Sequence, residues 1–145
     1  MGYTYQYPRP AVTADIALFS KEKEGYHLLL IQRKRPPFQN MWALPGGFMD
    51  INETLEACAK RELFEETGIA EVALEQFRSY SELYRDPRHR TVTCVFFGLV
   101  DRKPDVVPGD DAADARWFNS NSLPSLAFDH KKIIQEIKDA GLLQR

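Results

Sequence analysis

Apolar positions along this chain repeat with two different periods, and together they predict alternating strands and helices. Residues 11–20 (AVTADIALFS) alternate loosely as a strand, and Tyr26 to Arg33 forms a second one around a Leu-Leu-Leu-Ile centre. The charged run from Lys21 to Gly25 makes these two a hairpin. Arg35-Pro36-Pro37 breaks the second strand, and Trp42 to Leu44 reads as a short strand leading into Pro45. The period then changes. Thr54 to Thr67 lacks Gly and Pro, is rich in Glu, Ala, Leu and Lys, can be capped by Asn52 or Thr54, and runs into Gly68, the expected residue for a left-handed helix end. Two longer strands follow, Leu74 to Tyr84 and Thr91 to Val100, joined by the basic loop Arg85 to Arg90. Lys103 to Asp114 is a loop of Pro, Gly and Asp, Ala115 to Asn119 a further strand, and Asp129 to Ala140 an amphipathic helix stopped at Gly141. The fold class expected from this order is α/β: a mixed β-sheet with a helix on each face, an α/β/α sandwich.

The first helix contains a physical conflict. On a 3.6-residue period Leu55, Cys58, Ala59, Glu62 and Glu66 share one inward stripe, with Glu65 on its flank. A solvated Glu face laced with i,i+4 pairs, such as Arg61 with Glu65, is the ordinary explanation of such a run, but here the acids continue the apolar stripe. Three crowded carboxylates repel one another, and desolvating them is costly unless a cation compensates. Hard oxygen ligands of this kind suit Mg²⁺ or Mn²⁺. Glu53 and Arg61 read instead as a scaffold ion pair that pins the preceding loop to the helix, while Gly46-Gly47 permits the backbone turn before it.

Composition narrows the class. With 145 residues, 43% hydrophobic and 28% charged, the expectation is a single domain, 1–145, with a substantial core. A net charge of −2 and a pI near 5.9 favour neither a nucleic-acid backbone nor an anionic membrane surface as partner. MGYTYQYPRP has no apolar run for a signal peptide, and Gln6 breaks a myristoylation pattern, so a cytoplasmic location is expected. Cys58 and Cys94 form no C-x-x-C and read as reduced core residues, with no zinc site.

The stretch GFMDINETLEACAKRELFEETGI places Gly47, Glu53, Arg61, Glu62, Glu65, Glu66 and Gly68 in one frame, with Leu63 and Ile69 at aliphatic positions. It resembles the Nudix box, G-x5-E-x7-R-E-U-x-E-E-x-G-U, at every position. The resemblance implies a hydrolase that cuts the pyrophosphate linkage of a nucleoside diphosphate derivative with a divalent metal. Glu62, Glu65, Glu66 and Gly46 would be the metal set, and Glu65, Glu66 and a further acid the catalytic set. Asp110 and Asp111, just before Ala115-Arg116-Trp117-Phe118, resemble the family's loop that supplies this acid, with Asp111 preferred and Glu82 weaker. Trp42 to Phe48, Tyr84 to Arg88 and Ala127 to Ile134 resemble the ADP-ribose pyrophosphatase branch, whose products are AMP and ribose 5-phosphate. On that likeness Arg33, Arg35, Arg85 and Arg88 would contact phosphate or ribose, with Phe38 or an N-terminal Tyr stacking on adenine. Tyr84 stands where the ADP-ribose group often has Pro, and a Tyr there is associated with diadenosine polyphosphate hydrolases; hydrolysis of oxidised nucleoside triphosphates is a further alternative. Some Nudix relatives are non-catalytic regulators that sense ADP-ribose, typically with an added DNA-binding segment, and the 77 residues after Gly68 are expected to be consumed by the sandwich. The resemblance also implies a homodimer, to which the Tyr3, Tyr5 and Tyr7 arm could lend an exchanged edge strand.

Overall fold

A computed structural model describes residues 2–144. Strand β1 (Ala11–Glu22) turns through Lys23 and Glu24 into β2 (Gly25–Arg33), as the charged run requires, with Gly25 at φ 126° where a side chain would be strained. Then come β3 (Trp42–Ala43), β4 (Gly46–Phe48), helix α1 (Leu55–Thr67), β5 (Glu75–Tyr80), β6 (Thr91–Val100), β7 (Ala112–Asn119), helix α2 (His130–Asp139) and a 3₁₀ turn, Leu142–Gln144. The sheet runs β3-β2-β1-β6-β5, with β4 also pairing with β1 and β7 with β2. It is mixed: β1 and β6 are parallel, from Ala11 opposite Thr91 to Ser20 opposite Val100, and the other pairings are antiparallel.

Burial of β1 on both faces explains why its alternation is loose. Ile16 and Leu18 pack with Leu29 against Cys58, Ala59 and Leu63 of α1, whereas Ala17 and Phe19 pack with Leu28 and Leu30 against Ile133, Ile134 and Ile137 of α2. Each buried Leu, Ile or Phe side chain among them contributes about 1.5–3 kcal/mol. The two helices therefore cover opposite faces, giving the expected sandwich.

Helix α1 starts where Thr54 Oγ1 accepts the Ala57 N–H at 3.1 Å and ends at Gly68, φ 75°, whose N–H donates to Phe64 O at 2.8 Å. Its last turn holds Glu65 and Glu66 and no basic residue, which sets two acids against the negative end of the helix dipole. Stability alone does not account for that arrangement.

The hairpin strand β1 runs on to Glu22, β3 stops at Ala43, Gly46–Phe48 pairs with β1 as a strand instead of only turning, and two later boundaries also differ from the periodicity. β5 ends at Tyr80 rather than Tyr84, because the chain beyond it is organised by Asp86, which accepts from Arg88 N–H, Arg88 Nε and Arg88 Nη2 at 2.8–3.0 Å instead of from a neighbouring strand. β7 begins at Ala112 rather than Ala115, since Asp114 continues the register opposite Gln32 and a shift between Gln32 and Arg33 then brings Ala112 opposite Arg33. Among the described residues, no helix is long and apolar enough to cross a membrane.

Candidate active site

A cleft of about 570 Å³ is lined by residues from seven separate segments. Helix α1 contributes Glu62, Glu66 and Arg61; β4 contributes Gly46 to Phe48; and the loop before β7 contributes Asp111. From the sheet and its connections come Asp15, Arg33 and Arg35, then Arg85, Asp86 and Arg88, and finally Phe128 and His130 at the start of α2.

The carboxylates crowd against glycine backbone. Gly46 N–H donates to Glu66 Oε1 at 2.7 Å, and a Cβ on Gly47 would lie 2.5 Å from the Glu62 carboxyl carbon. Gly46 is equally constrained, because its Cβ would meet the Asp15 carboxylate at 2.3 Å. Burial pushes the Glu66 carboxyl up to about 8, opposed by the Gly46 N–H and reinforced by the charges of Glu62, Asp15 and Asp111. Burial also raises Glu62, against the pull of Arg61.

Arg61 ties this edge of the cleft together. It grips Glu53 through Nε at 2.9 Å and Nη2 at 2.6 Å, donates from Nη2 to Phe48 O at 3.0 Å, and reaches Glu62 and Glu65 from Nη1 at 2.8 and 3.1 Å. The Arg61 bonds hold the Glu53 carboxyl down at about 2. Cys58 beneath is an inert thiol, raised to about 12 by burial.

Asp111 is positioned by a loop that docks on the end of α1. Val107 N–H donates to Thr67 O at 2.9 Å and Gly109 N–H to Glu66 O at 3.2 Å, capping carbonyls the helix leaves unpaired. No other residue fits at 109, since a Cβ would stand 1.8 Å from Glu65 O.

Facing cations are compensated to different degrees. The Arg85 side chain is 5% exposed and makes a two-bond fork to Asp129 at 2.7 and 2.8 Å; burial lowers its pKa and the Asp129 bonds more than restore it, so it is raised. Arg88 pairs with Asp86 while its guanidinium lies 5.4 Å from the Phe48 ring and 5.6 Å from Phe128. Arg33 donates to Pro37 O at 2.7 Å and stacks 4.9 Å over Phe128, but has no carboxylate partner among the described residues; burial and the nearby Arg88 lower its pKa.

Not every residue expected at the site lies in it. Glu65 is on the exposed flank of α1, outside the cleft lining and paired with Arg61. Phe38 packs edge-on against Phe128 at 4.8 Å in a small apolar cluster rather than lining the cleft, where Phe48 and Phe128 present rings instead. Tyr3 stacks on Tyr5 at 6.3 Å in the exposed arm, and Tyr84 is 91% exposed, both outside the cleft. Gly68 acts at the far end of the helix. Conversely, Asp15, His130, Asp86 and Phe48 line the cleft without having been singled out by periodicity. Asp15 did carry a signal, being a lone acid within the apolar run of β1.

Residues 9–137 match the family model described as NUDIX domain. The chain belongs to the Nudix family. This Nudix chain is 42% identical over 130 residues to an ADP-ribose pyrophosphatase of Methanocaldococcus jannaschii, covering 90% of the chain and 74% of the relative. It is 39% identical over 134 residues to the ADPR responsive transcriptional repressor NtrR of Acinetobacter baylyi, covering 90% of the chain but 54% of the repressor; the chain thus spans about half of that protein's length. Among solved structures, the NUDIX domain of Shewanella oneidensis NrtR complexed with ADP ribose superimposes with a TM-score of 0.86 at 29% identity, covering 92% of the chain and 90% of that domain.

Nudix hydrolases generally use divalent metal ions, and the donor set here fits one. Two carboxylates lie against glycine backbone, and burial raises both Glu66 and Glu62, a cost that a bound cation would offset. The described residues do not hold three acidic, histidine or cysteine side chains gathered into a ready cage. Glu62 and Glu65 are instead held by Arg61, from which a cation would have to draw them.

Proposed function

We propose that this Nudix chain is a metal-dependent hydrolase of ADP-ribose, releasing AMP and ribose 5-phosphate. The observation that carries this reading is the pairing of an uncompensated carboxylate group, centred on Glu66, with an unpaired guanidinium, Arg33, in one cleft. The 42% identity to an ADP-ribose pyrophosphatase supports the choice of substrate. Glu62, Glu65 and Glu66 would hold the ion, together with the backbone of Gly46. When bound, a divalent ion supplies charge neutralisation at phosphate oxygens and lowers the pKa of a coordinated water.

The chain's own residues do the rest. Arg33 and Arg35 hold phosphate, the Phe48 and Phe128 rings that flank Arg88 offer faces for a base, and Asp111, whose charge acts on Glu66, is an acceptor for the proton of the attacking water. Arg85 acts through Asp129, fixing the loop that carries Arg88. Tyr84, which points to solvent, offers no support for a diadenosine polyphosphate substrate.

A second reading has specific support: 39% identity to an ADPR responsive repressor favours an ADP-ribose sensor without turnover. The complete set Glu62, Glu65, Glu66 favours hydrolysis. Incubation of the protein with ADP-ribose, diadenosine polyphosphates and nucleoside triphosphates in Mg²⁺ or Mn²⁺, with products resolved by chromatography, tests both. AMP from ADP-ribose at the highest kcat/KM is expected. Tight ADP-ribose binding without AMP would favour the sensor, and faster cleavage of another nucleotide would overturn the substrate.

A further inference from the structure

His130 and Asp15 leave an unmet hydrogen-bonding geometry inside the cleft. His130 is 3% exposed, and its Nδ1 accepts the Leu44 N–H at 3.0 Å. An acceptor at Nδ1 puts the proton of the neutral ring on Nε2. Burial lowers the His130 pKa despite the raising charges of Asp15 and Asp129, consistent with that neutral form. The Nε2–H donor has no hydrogen-bond acceptor among the described residues; its nearest carboxylate oxygen, Asp15 Oδ2, stands 3.9 Å away. Asp15 itself is 9% exposed, accepts from Thr93 Oγ1 at 2.5 Å, and lines the same cleft.

A gap of 3.9 Å is too long for a direct bond but admits one oxygen at about 2.9 Å from both atoms. That oxygen must accept from His130 and donate to Asp15. A phosphate oxygen cannot donate, and the Asp15 carboxylate would repel it. A hydroxyl does both.

We propose that His130 Nε2 and Asp15 Oδ2 form a hydroxyl subsite that holds one sugar hydroxyl of the nucleotide substrate beside the Gly46–Glu66 centre. The inference rests on the reading of the cleft as a nucleotide site, though not on ADP-ribose being the nucleotide. The hydroxyl can come from the terminal ribose or from the adenosine ribose. Rigid placement of that sugar follows, because His130 is packed between the Leu44 N–H and the Phe128 ring, 5.5 Å away. Leu44 and Gly46 bracket Pro45, so the same imidazole that would grip the sugar also holds the strap carrying Gly46.

The test is equilibrium binding by calorimetry in excess chelator, so that turnover plays no part. Probes are ADP-ribose, its analogues deoxygenated singly on the terminal ribose or on the adenosine ribose, and ATP with its 2′- and 3′-deoxy counterparts. In the wild-type protein, loss of one hydroxyl should weaken binding about tenfold to a hundredfold, and the position of that hydroxyl names the sugar. In His130→Asn the amide oxygen can still accept from Leu44 while the Nε2–H is gone. The full nucleotide should then bind as weakly as the deoxy one, with little further loss for the deoxy analogue. Should His130→Asn fail to fold, Asp15→Asn should shrink the same discrimination severalfold. Equal binding of every deoxy analogue to wild type, or discrimination intact in the variant, would overturn the subsite. Discrimination seen for ATP but not ADP-ribose would keep the subsite and overturn the proposed substrate.

Discussion

The carboxylate side of the cleft and the guanidinium side are built on opposite electrostatic plans. On the first, Glu66 is buried with Glu62, Asp15 and Asp111 as neighbours, and burial drives its carboxyl up to about 8. On the second, each arginine of the 85–90 loop that lines the cleft already has its acid: Arg85 has Asp129 and Arg88 has Asp86. Among the described residues that line the cleft, Arg33 and Arg35 are the guanidinium groups without a carboxylate partner. One side therefore needs a ligand to become neutral, and the other is mostly complete without one. Charge count alone misleads here, because Arg85 and Arg88 are already neutralised by their acids while Arg33 is not.

Removing the central acid should break this contrast most severely. Glu66→Gln is expected to lower kcat about a thousandfold or more while the metal-free protein melts at a higher temperature than wild type. Activity assays alongside calorimetry check both halves; a variant that kept turnover would remove Glu66 from the metal set. The pH dependence sharpens the point. Because the folded Glu66 stands at about 8 against an ordinary 4.5, its contribution is fully present below 4.5 and is lost as pH rises towards 8. The advantage of Glu66→Gln should accordingly be absent near pH 4, grow to roughly 2–4 kcal/mol by pH 8, and level off above it.

Next in size is the scaffold that spaces the acids. Arg61→Ala should lower the melting temperature by several degrees and reduce activity about a hundredfold, because Glu53 loses its two-bond partner and Phe48 O loses its donor. A selective rise in KM at unchanged melting temperature would instead put Arg61 on phosphate.

On the guanidinium side the effects should separate. Arg85→Ala is expected to cost about 3–5 kcal/mol of stability by stranding Asp129. Arg33→Ala should leave melting nearly unchanged and raise KM about tenfold, since it gives up no carboxylate partner. If the two variants behaved alike, the division into paired and unpaired cations would be empty.

The two sides also differed in how far they could be read from sequence. Glu62, Glu65, Glu66 and their glycines lie within 23 consecutive residues, so helical period and caps place them without knowledge of the sheet. Arg85 and Asp129 are 44 positions apart, and nothing local distinguishes a buried fork from a free basic loop. The packing of Phe38 is hidden for the same reason: its partner, Phe128, comes from the other end of the chain. His130 and Asp15 meet only once β1 and α2 are folded, although an acid inside an apolar strand is a warning that any sequence displays. The sandwich was legible, but β4 was not, because Gly46-Gly47 reads as a turn; what periodicity missed at the later strand ends was a loop organised by Asp86 and a bulge at Arg33.

Titrating Mn²⁺ into wild type and Glu66→Gln at pH 7.5, followed by melting temperature, tests the central claim most directly. Wild type should start lower and climb steeply with metal, as the ion neutralises the acids around Glu66, while Glu66→Gln should start higher and barely move. Parallel rises in both proteins, or none in wild type, would contradict a cation site centred on Glu66.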